Sequence, residues 1–252
     1  MTGTRQTQAF YDSYWPQNVP DYSRTREHVL SLLPPGDYAR ALDAGCGTGV
    51  CSLALAERSE KVVSLDISNG SLHTAIGLAA QTAKSNIRFL QGSLLDIPLL
   101  DGSFDLAFSW GVIHHTVDPA RALDELVRVL KPDGALILAV YLKTNLTFAH
   151  EATRKIALRF GPFLRRVFIQ SLAAIVRLRD RFYLPELPRN DSGIEALIED
   201  WFFVPEKHFF SVEEMRQHFA ARGLSFELCY ASTARFKSTS NFICRGRREK
   251  GV

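Results

Sequence analysis

The sequence predicts one α/β domain: a seven-stranded, mostly parallel sheet that ends in an antiparallel hairpin and carries an inserted helical cap. Three observations predict it. Short apolar runs alternate with helical patterns through residue 142, the order of a parallel sheet crossed by helices. A glycine-rich turn, Gly45-Cys46-Gly47-Thr48-Gly49, joins one such run to the helix after it. The stretch 143–210 is longer than a sheet connection needs, so it must be an element of its own. At 252 residues and 46% hydrophobic content the chain can bury a full core as a single domain.

Taken in order, Pro34-Pro35-Gly36-Asp37 separates an N-terminal helix near 23–33 from the first strand. Strands are expected at 39–44, 61–66, 87–91, 104–109 and 135–141, with helices at 49–58, 70–84 and 119–130 between them. Ser211-Val212-Glu213-Glu214 is a capping box, so a helix starts there and runs to about Arg222, where Gly223 stops it. Segments 224–231 and 240–245 then read as the hairpin. The domain spans 1–252, divided into an N-terminal lid or helix (1–35), a core (36–142), the helical cap (143–210) and a C-terminal helix with hairpin (211–252). Within the cap, over 163–182, Leu164, Val167, Phe168, Leu172, Ile175, Val176 and Leu178 recur at helical spacing opposite Arg166, Gln170, Arg177 and Arg181. Two readings stay open: a helix packed on the core with solvated arginines, or a lid touching an anionic membrane or a lipophilic substrate.

Charge excludes some classes. Residues 1–150 carry 12 Lys+Arg against 15 Asp+Glu, so −3; residues 151–252 carry 18 against 12, so +6. An excess of that size does not imply nucleic acid. Cys46, Cys51, Cys229 and Cys244 are scattered without a C-x-x-C pair, which argues against zinc and against a disulfide framework, and no metal ligands are expected. The first residues hold no apolar leader, and the expected location is the cytoplasm.

The chemistry gathers at the strand ends. Glycines at 45, 47 and 49 let the backbone lie flat against a bound molecule. Their G-x-G-x-G spacing differs from the G-x-G-x-x-G of nicotinamide and flavin sites, and the Lys-Ser/Thr end of a P-loop is missing. Asp43, just before the turn, repels a pyrophosphate but suits an ammonium group. Asp66 follows seventeen positions after Gly49, at the end of the second apolar run. Its carboxylate accepts hydrogen bonds without donating, which matches a pair of hydroxyls; the alternative is a helix N-cap.

Leu42-Asp43-Ala44-Gly45-Cys46-Gly47-Thr48-Gly49 resembles the first motif of class I S-adenosylmethionine-dependent methyltransferases. Val62–Ser68, Gly92–Pro98 with Phe104–Ala107, Val112-Ile113-His114-His115 and Leu130–Gly134 resemble the later motifs in the same order. The resemblance covers roughly residues 38–142, and is nearest to the branch holding quinone-biosynthesis and natural-product enzymes. It implies a Rossmann-like sheet and S-adenosylmethionine as cofactor. The turn at Gly45, Cys46, Gly47 and Gly49 would face the methionine moiety, with Asp43 orienting its ammonium through backbone or water. Asp66 would hold the ribose, Ile67 would pack on the adenine, and Ser93 and Leu94 would read the ring edge. Ser93 departs from the family, where Asp is common. Phe10–Pro16 resembles the family's N-terminal lid, so Tyr14 would close over the cofactor. Trp110 borders the sulfonium or packs in the core.

His114 and His115 follow the fourth strand, at the crevice where open α/β sheets bind ligands. One is a candidate general base, His115 ahead of His114; the alternative is that one packs on the sheet while the other caps a helix. Aromatics at 201–203 and 209–210 shape either an apolar substrate pocket or the cap's own core. The expected activity is methyl transfer to a hydroxyl or amine of a small, fairly apolar acceptor. An RNA methyltransferase and a non-catalytic cofactor-binding protein are the rivals.

Overall fold

The computed structural model describes residues 3–14, 20–183, 193–231 and 240–249. Its strands are β1 (Tyr38–Ala44), β2 (Ser59–Asp66), β3 (Ile87–Gln91), β4 (Phe104–Trp110), β5 (Leu130–Leu142), β6 (Glu227–Ala231) and β7 (Ser240–Arg247). They form one seven-stranded sheet, as the sequence predicted, and its strand order is β3-β2-β1-β4-β5-β7-β6. Pairing is parallel from β3 through β5, and β7 runs antiparallel to both β5 and β6. The chain winds outward from β1 to β3, then crosses back to β4. A crevice therefore opens between the carboxyl ends of β1 and β4.

Helices cover both faces. On one face α5 (Pro119–Val129) and α9 (Val212–Ala220) bury Leu123, Leu126 and Phe219 with Leu42, Ala107 and Leu136 of the sheet. On the other, α2 (Tyr22–Leu32) and α3 (Val50–Leu55) bury Val29, Leu32 and Leu55 with Ala41, Leu106, Phe108 and Ile137. Burial on both faces is why these strands read as continuous apolar runs. The capping box at Ser211 and Glu214 forms as expected.

Several boundaries move for local reasons. The helix expected over 49–58 ends at Leu55, because Glu57 turns back to Arg26 and Tyr22, and Ser59 already enters β2. α4 (Asn69–Gln81) stops short of 84, and the chain reverses at Ala83 with φ 52°. β5 begins at Leu130 rather than 135, with a register shift opposite Phe104 and Leu106. The segment expected as an N-terminal lid contains a helix, α1 (Gly3–Tyr14), tied to the start of α4 where Asp12 accepts from the Ser68 hydroxyl at 2.8 Å. Trp15 and Pro16 lie outside the described residues.

The cap over 143–210 consists of α6 (Thr147–Ala157), α7 (Pro162–Tyr183) and α8 (Gly193–Phe203). It has its own cluster of Ala157, Ile169, Ala173, Ile198, Phe202 and Phe203. α7 covers the predicted amphipathic stretch, yet it does not bury all its apolar positions. Phe168, Leu172 and Val176 are half-buried, whereas Leu164, Val167, Ile175 and Leu178 are exposed. The side chain of Arg181 lies outside the described residues.

Candidate functional site

A cleft of about 700 Å³ opens over the carboxyl ends of β1, β2 and β4, within the range of small-ligand sites. Residues of α1, α2 and α8 wall it from above, including Tyr11, Tyr14, His28, Leu197 and Trp201. Among the described residues no Lys or Arg lines it, while Asp43, Asp66 and Asp200 do. The cleft is therefore built for a ligand that is cationic or neutral, not for phosphates.

One half is the glycine turn. The Gly45 and Cys46 amides donate to the Leu65 carbonyl at 2.7 and 3.0 Å, which pins the turn to β2. Gly45 sits at φ +83°, and a Cβ there would meet both Val112 methyls at 2.4 Å, so no other residue fits. Asp66 is buried, and each carboxylate oxygen accepts one backbone amide, from Gly47 and from Ser68, at 2.8 Å. A carboxylate oxygen has room for a second donor, so both can still take a hydroxyl from the cleft. Burial raises the Asp66 pKa and the amides pull it back. The N-cap of α4 is Ser68, whose hydroxyl accepts from the Ser71 amide, so Asp66 is not that cap. Asp43 is buried too and accepts from the Ser52 hydroxyl at 2.6 Å. Burial pushes its pKa up to about 7, a state that a nearby ammonium would reverse.

The other half is a polar cluster beneath the cap. The His115 Nδ1–H donates to the Glu206 carbonyl at 3.0 Å, which fixes the tautomer and leaves the Nε2 lone pair free. Nε2 lies 3.8 Å from Asp200, whose carboxylate accepts from the Tyr11 hydroxyl at 3.2 Å and from the Tyr141 hydroxyl. Burial, countered by the Asp200 charge, pulls the His115 pKa down to about 4, so the ring is neutral at pH 7. His114 is buried with neither ring nitrogen partnered, and burial holds it neutral as well. Lys207 closes the back of the cluster, its ammonium 4.3 Å from the Tyr141 ring centre, with burial lowering its pKa to about 8.

The structure brings together nearly every residue the sequence singled out. Asp43, Gly45, Cys46, Gly47, Asp66, Ile67, Ser93, Leu94, Trp110, His114, His115 and Tyr14 all line the cleft. Gly49 does not; it adopts φ +80° at the start of α3, where a Cβ would strike Ala75 at 2.8 Å. Tyr14 lines the wall with its hydroxyl donating to the Ala196 carbonyl at 3.1 Å. Trp110 stacks on Phe108 and faces His28 edge-on. Cys46 is buried, and burial raises its thiol pKa well above the ordinary value, which disfavours the thiolate a nucleophile needs. Tyr11, Tyr141 and Asp200 had no assigned role. Asp200 and Glu199 together interrupt the apolar segment Leu197–Val204, and sequence alone does not say which of the two is turned inward.

Sheet order, crevice and glycine turn define the class: a Rossmann-like nucleoside-binding fold of the methyltransferase type. Residues 42–138 match the family model described as a methyltransferase domain. An uncharacterized protein of Synechococcus sp., syc1184_c, is 32% identical over 199 residues, 74% of this chain and 47% of that protein. The demethylmenaquinone methyltransferase of Lactococcus lactis is 36% identical over 134 residues, 52% of this chain and 53% of that enzyme. The chain thus spans about half the length of these curated relatives. The crystal structure of YcgJ from Bacillus subtilis superposes with a TM-score of 0.60 at 17% identity, covering 92% of this chain and all of that one, and supports the fold. Residues 42–138 are thus a methyltransferase domain, set in a fold shared with Rossmann-like methyltransferases.

Proposed function

We propose that the protein binds S-adenosylmethionine in this cleft and transfers its methyl group to a hydroxyl or amine of a small, fairly apolar acceptor. The observation that carries this is the buried Asp66 carboxylate, which lines the cleft and is held there by the Gly47 and Ser68 backbone amides. The donor set fits the cofactor: an acceptor-only group for a diol, an acid for an ammonium, and a wall without cations beside a sulfonium. Asp66 would hold the ribose, Asp43 would face the ammonium, Ser93 and Leu94 would read the adenine edge beside Ile67, and Trp110 would border the sulfur. When bound, the cofactor supplies a methyl group on a cationic sulfur, already activated for in-line displacement.

The protein's work is then to align the acceptor and accept its proton. His115 serves as the base: its Nε2 lone pair is free at neutral pH, and Asp200 at 3.8 Å would stabilise the imidazolium that forms. The partners we propose are a small-molecule acceptor and, through the helix over 163–182, peripheral contact with an anionic membrane; the proposed location is the cytoplasm. The absence of Lys and Arg from the described lining weighs against RNA.

Incubation with methyl-labelled S-adenosylmethionine and either total RNA or a cellular small-molecule and lipid extract tests the proposal. Label should appear in the extract. Label confined to RNA, or cofactor binding with no transfer into any fraction, would overturn it.

A further inference from the structure

α7 has two apolar faces and a use inside the fold for one of them. Phe168, Ile169, Leu172 and Ala173 pack toward Ile198 and Phe202 of α8. The other face is a stripe at steps of four, seven and four residues: Phe163, Val167, Ala174 and Leu178, flanked by Leu164 and Ile175. Phe163 is 77% exposed, Ile175 62%, Leu178 59% and Leu164 53%. The end of α6 and the turn that follows it also expose Ile156, at 59%, and Leu158. Isolated exposed apolar residues are ordinary, but this many along one helix face mark a surface that meets something.

Charge says what it meets. Residues 152–179 contain seven Lys+Arg and no Asp or Glu. Arg165 and Arg177 are used internally, on Glu199 and Glu195 of α8. Lys155, Arg159 and Arg166 are exposed and have no ion pair among the described residues. Arg166 follows α7 round to the edge of the apolar stripe, and Lys155 and Arg159 flank Ile156 and Leu158. An apolar face edged by cations is the pattern of a helix lying in the headgroup layer of an anionic bilayer. A second copy of this chain is disfavoured, because the same cations would be brought face to face. No helix among the described residues is long and apolar enough to cross a membrane.

We infer that the outward face of α7, with the adjoining α6–α7 corner, is the seat of an anionic lipid bilayer, with α7 lying flat in the interface. This rests on the peripheral contact proposed above and changes its basis: the apolar face inserts, and the cations only edge it. The seat is one helix from the cleft. α8 turns Leu197 and Trp201 to the cleft and Ile198 and Phe202 to α7, so an acceptor dissolved in lipid would have a short way to travel.

The test is co-sedimentation of the full chain with phosphatidylcholine vesicles, with and without phosphatidylglycerol, alongside calorimetric binding of S-adenosylhomocysteine. Wild-type protein should partition onto the anionic vesicles. Phe163→Ser with Leu164→Ser and Ile175→Ser should lower partitioning by more than about tenfold. Lys155→Gln, Arg159→Gln and Arg166→Gln should each lower it by up to about fivefold at low salt and less at high salt. All these variants should keep wild-type affinity for S-adenosylhomocysteine, which shows that they fold. Wild-type protein that stays free of anionic vesicles at low salt would overturn the inference, as would an apolar variant that partitions like wild type. A dimer in solution that the apolar variant dissolves would assign the face to a second copy instead. If vesicle binding fails while S-adenosylhomocysteine binds, the membrane seat falls alone; if wild type binds vesicles but not S-adenosylhomocysteine, the cofactor reading falls instead.

Discussion

Asp66→Asn keeps the shape of the side chain and removes its charge, so it probes the cofactor half of the cleft with little change of volume. The carboxylate accepts the Gly47 and Ser68 amides at 2.8 Å each, and its remaining acceptor positions face the cleft. An amide can keep one of those backbone bonds, but its NH2 then faces the other N–H. Two effects follow, and they separate. Losing hydrogen bonds from a diol to a charged group costs about 1.5–3 kcal/mol, so affinity for S-adenosylhomocysteine should fall roughly 10- to 150-fold. One orphaned buried amide costs about 1–3 kcal/mol of stability, read as a lower urea midpoint without ligand. Calorimetry with S-adenosylhomocysteine and with its 2′-deoxy analogue closes a cycle between ligand and variant. The deoxy analogue should bind worse than the parent to wild type and about equally to the variant. Folded Asp66→Asn protein that binds within about threefold of wild type would refute the reasoning. So would a deoxy penalty equally large in both proteins.

On the acceptor that labelled transfer identifies, His115→Ala should lower kcat by about 10²- to 10⁴-fold with S-adenosylhomocysteine affinity unchanged. His114→Ala, which removes a buried ring without hydrogen-bonded nitrogens, should show mainly as a lower urea midpoint. Gly45→Ala should unfold at lower urea, because its Cβ would meet Val112 at 2.4 Å in a φ +83° conformation. His150, buried 4.9 Å from the Phe202 ring, has its pKa pulled down to about 4 by burial. The unfolded chain takes up that proton near pH 6.5 and the fold does not, so this contribution to stability is present above pH 6.5 and lost as pH falls toward about 4. His150→Phe should therefore lose less stability than wild type between pH 6.5 and 4.5, by up to about 1.4 kcal/mol per pH unit in urea titrations.

How much of this was legible depended on whether the signal was local. β1, β2, β3 and β4 lie in single apolar runs bounded by turns, so their positions could be read directly. The glycine turn, Asp43 and Asp66 sit at the ends of those runs, and their chemistry follows from placement alone. The Asp200 cluster was not legible, because Tyr11, Tyr141 and Asp200 come from α1, β5 and α8 and meet through the tertiary fold. Spacing does not distinguish a glycine that faces a ligand from one that, like Gly49, packs against the Ala75 methyl. α7 shows a related limit. Apolar residues occupy more than half of its circumference, and periodicity does not say which stripe α8 covers.

The central claim is that this cleft holds S-adenosylmethionine with its ribose on Asp66. A crystal structure of the protein grown with S-adenosylhomocysteine tests it most directly. The account predicts ligand density along Gly45 to Gly47, both ribose hydroxyls within hydrogen-bond distance of the Asp66 carboxylate, and the sulfur on the side of Trp110 and His115. Ligand bound elsewhere, or in the cleft with its ribose turned away from Asp66, would contradict it.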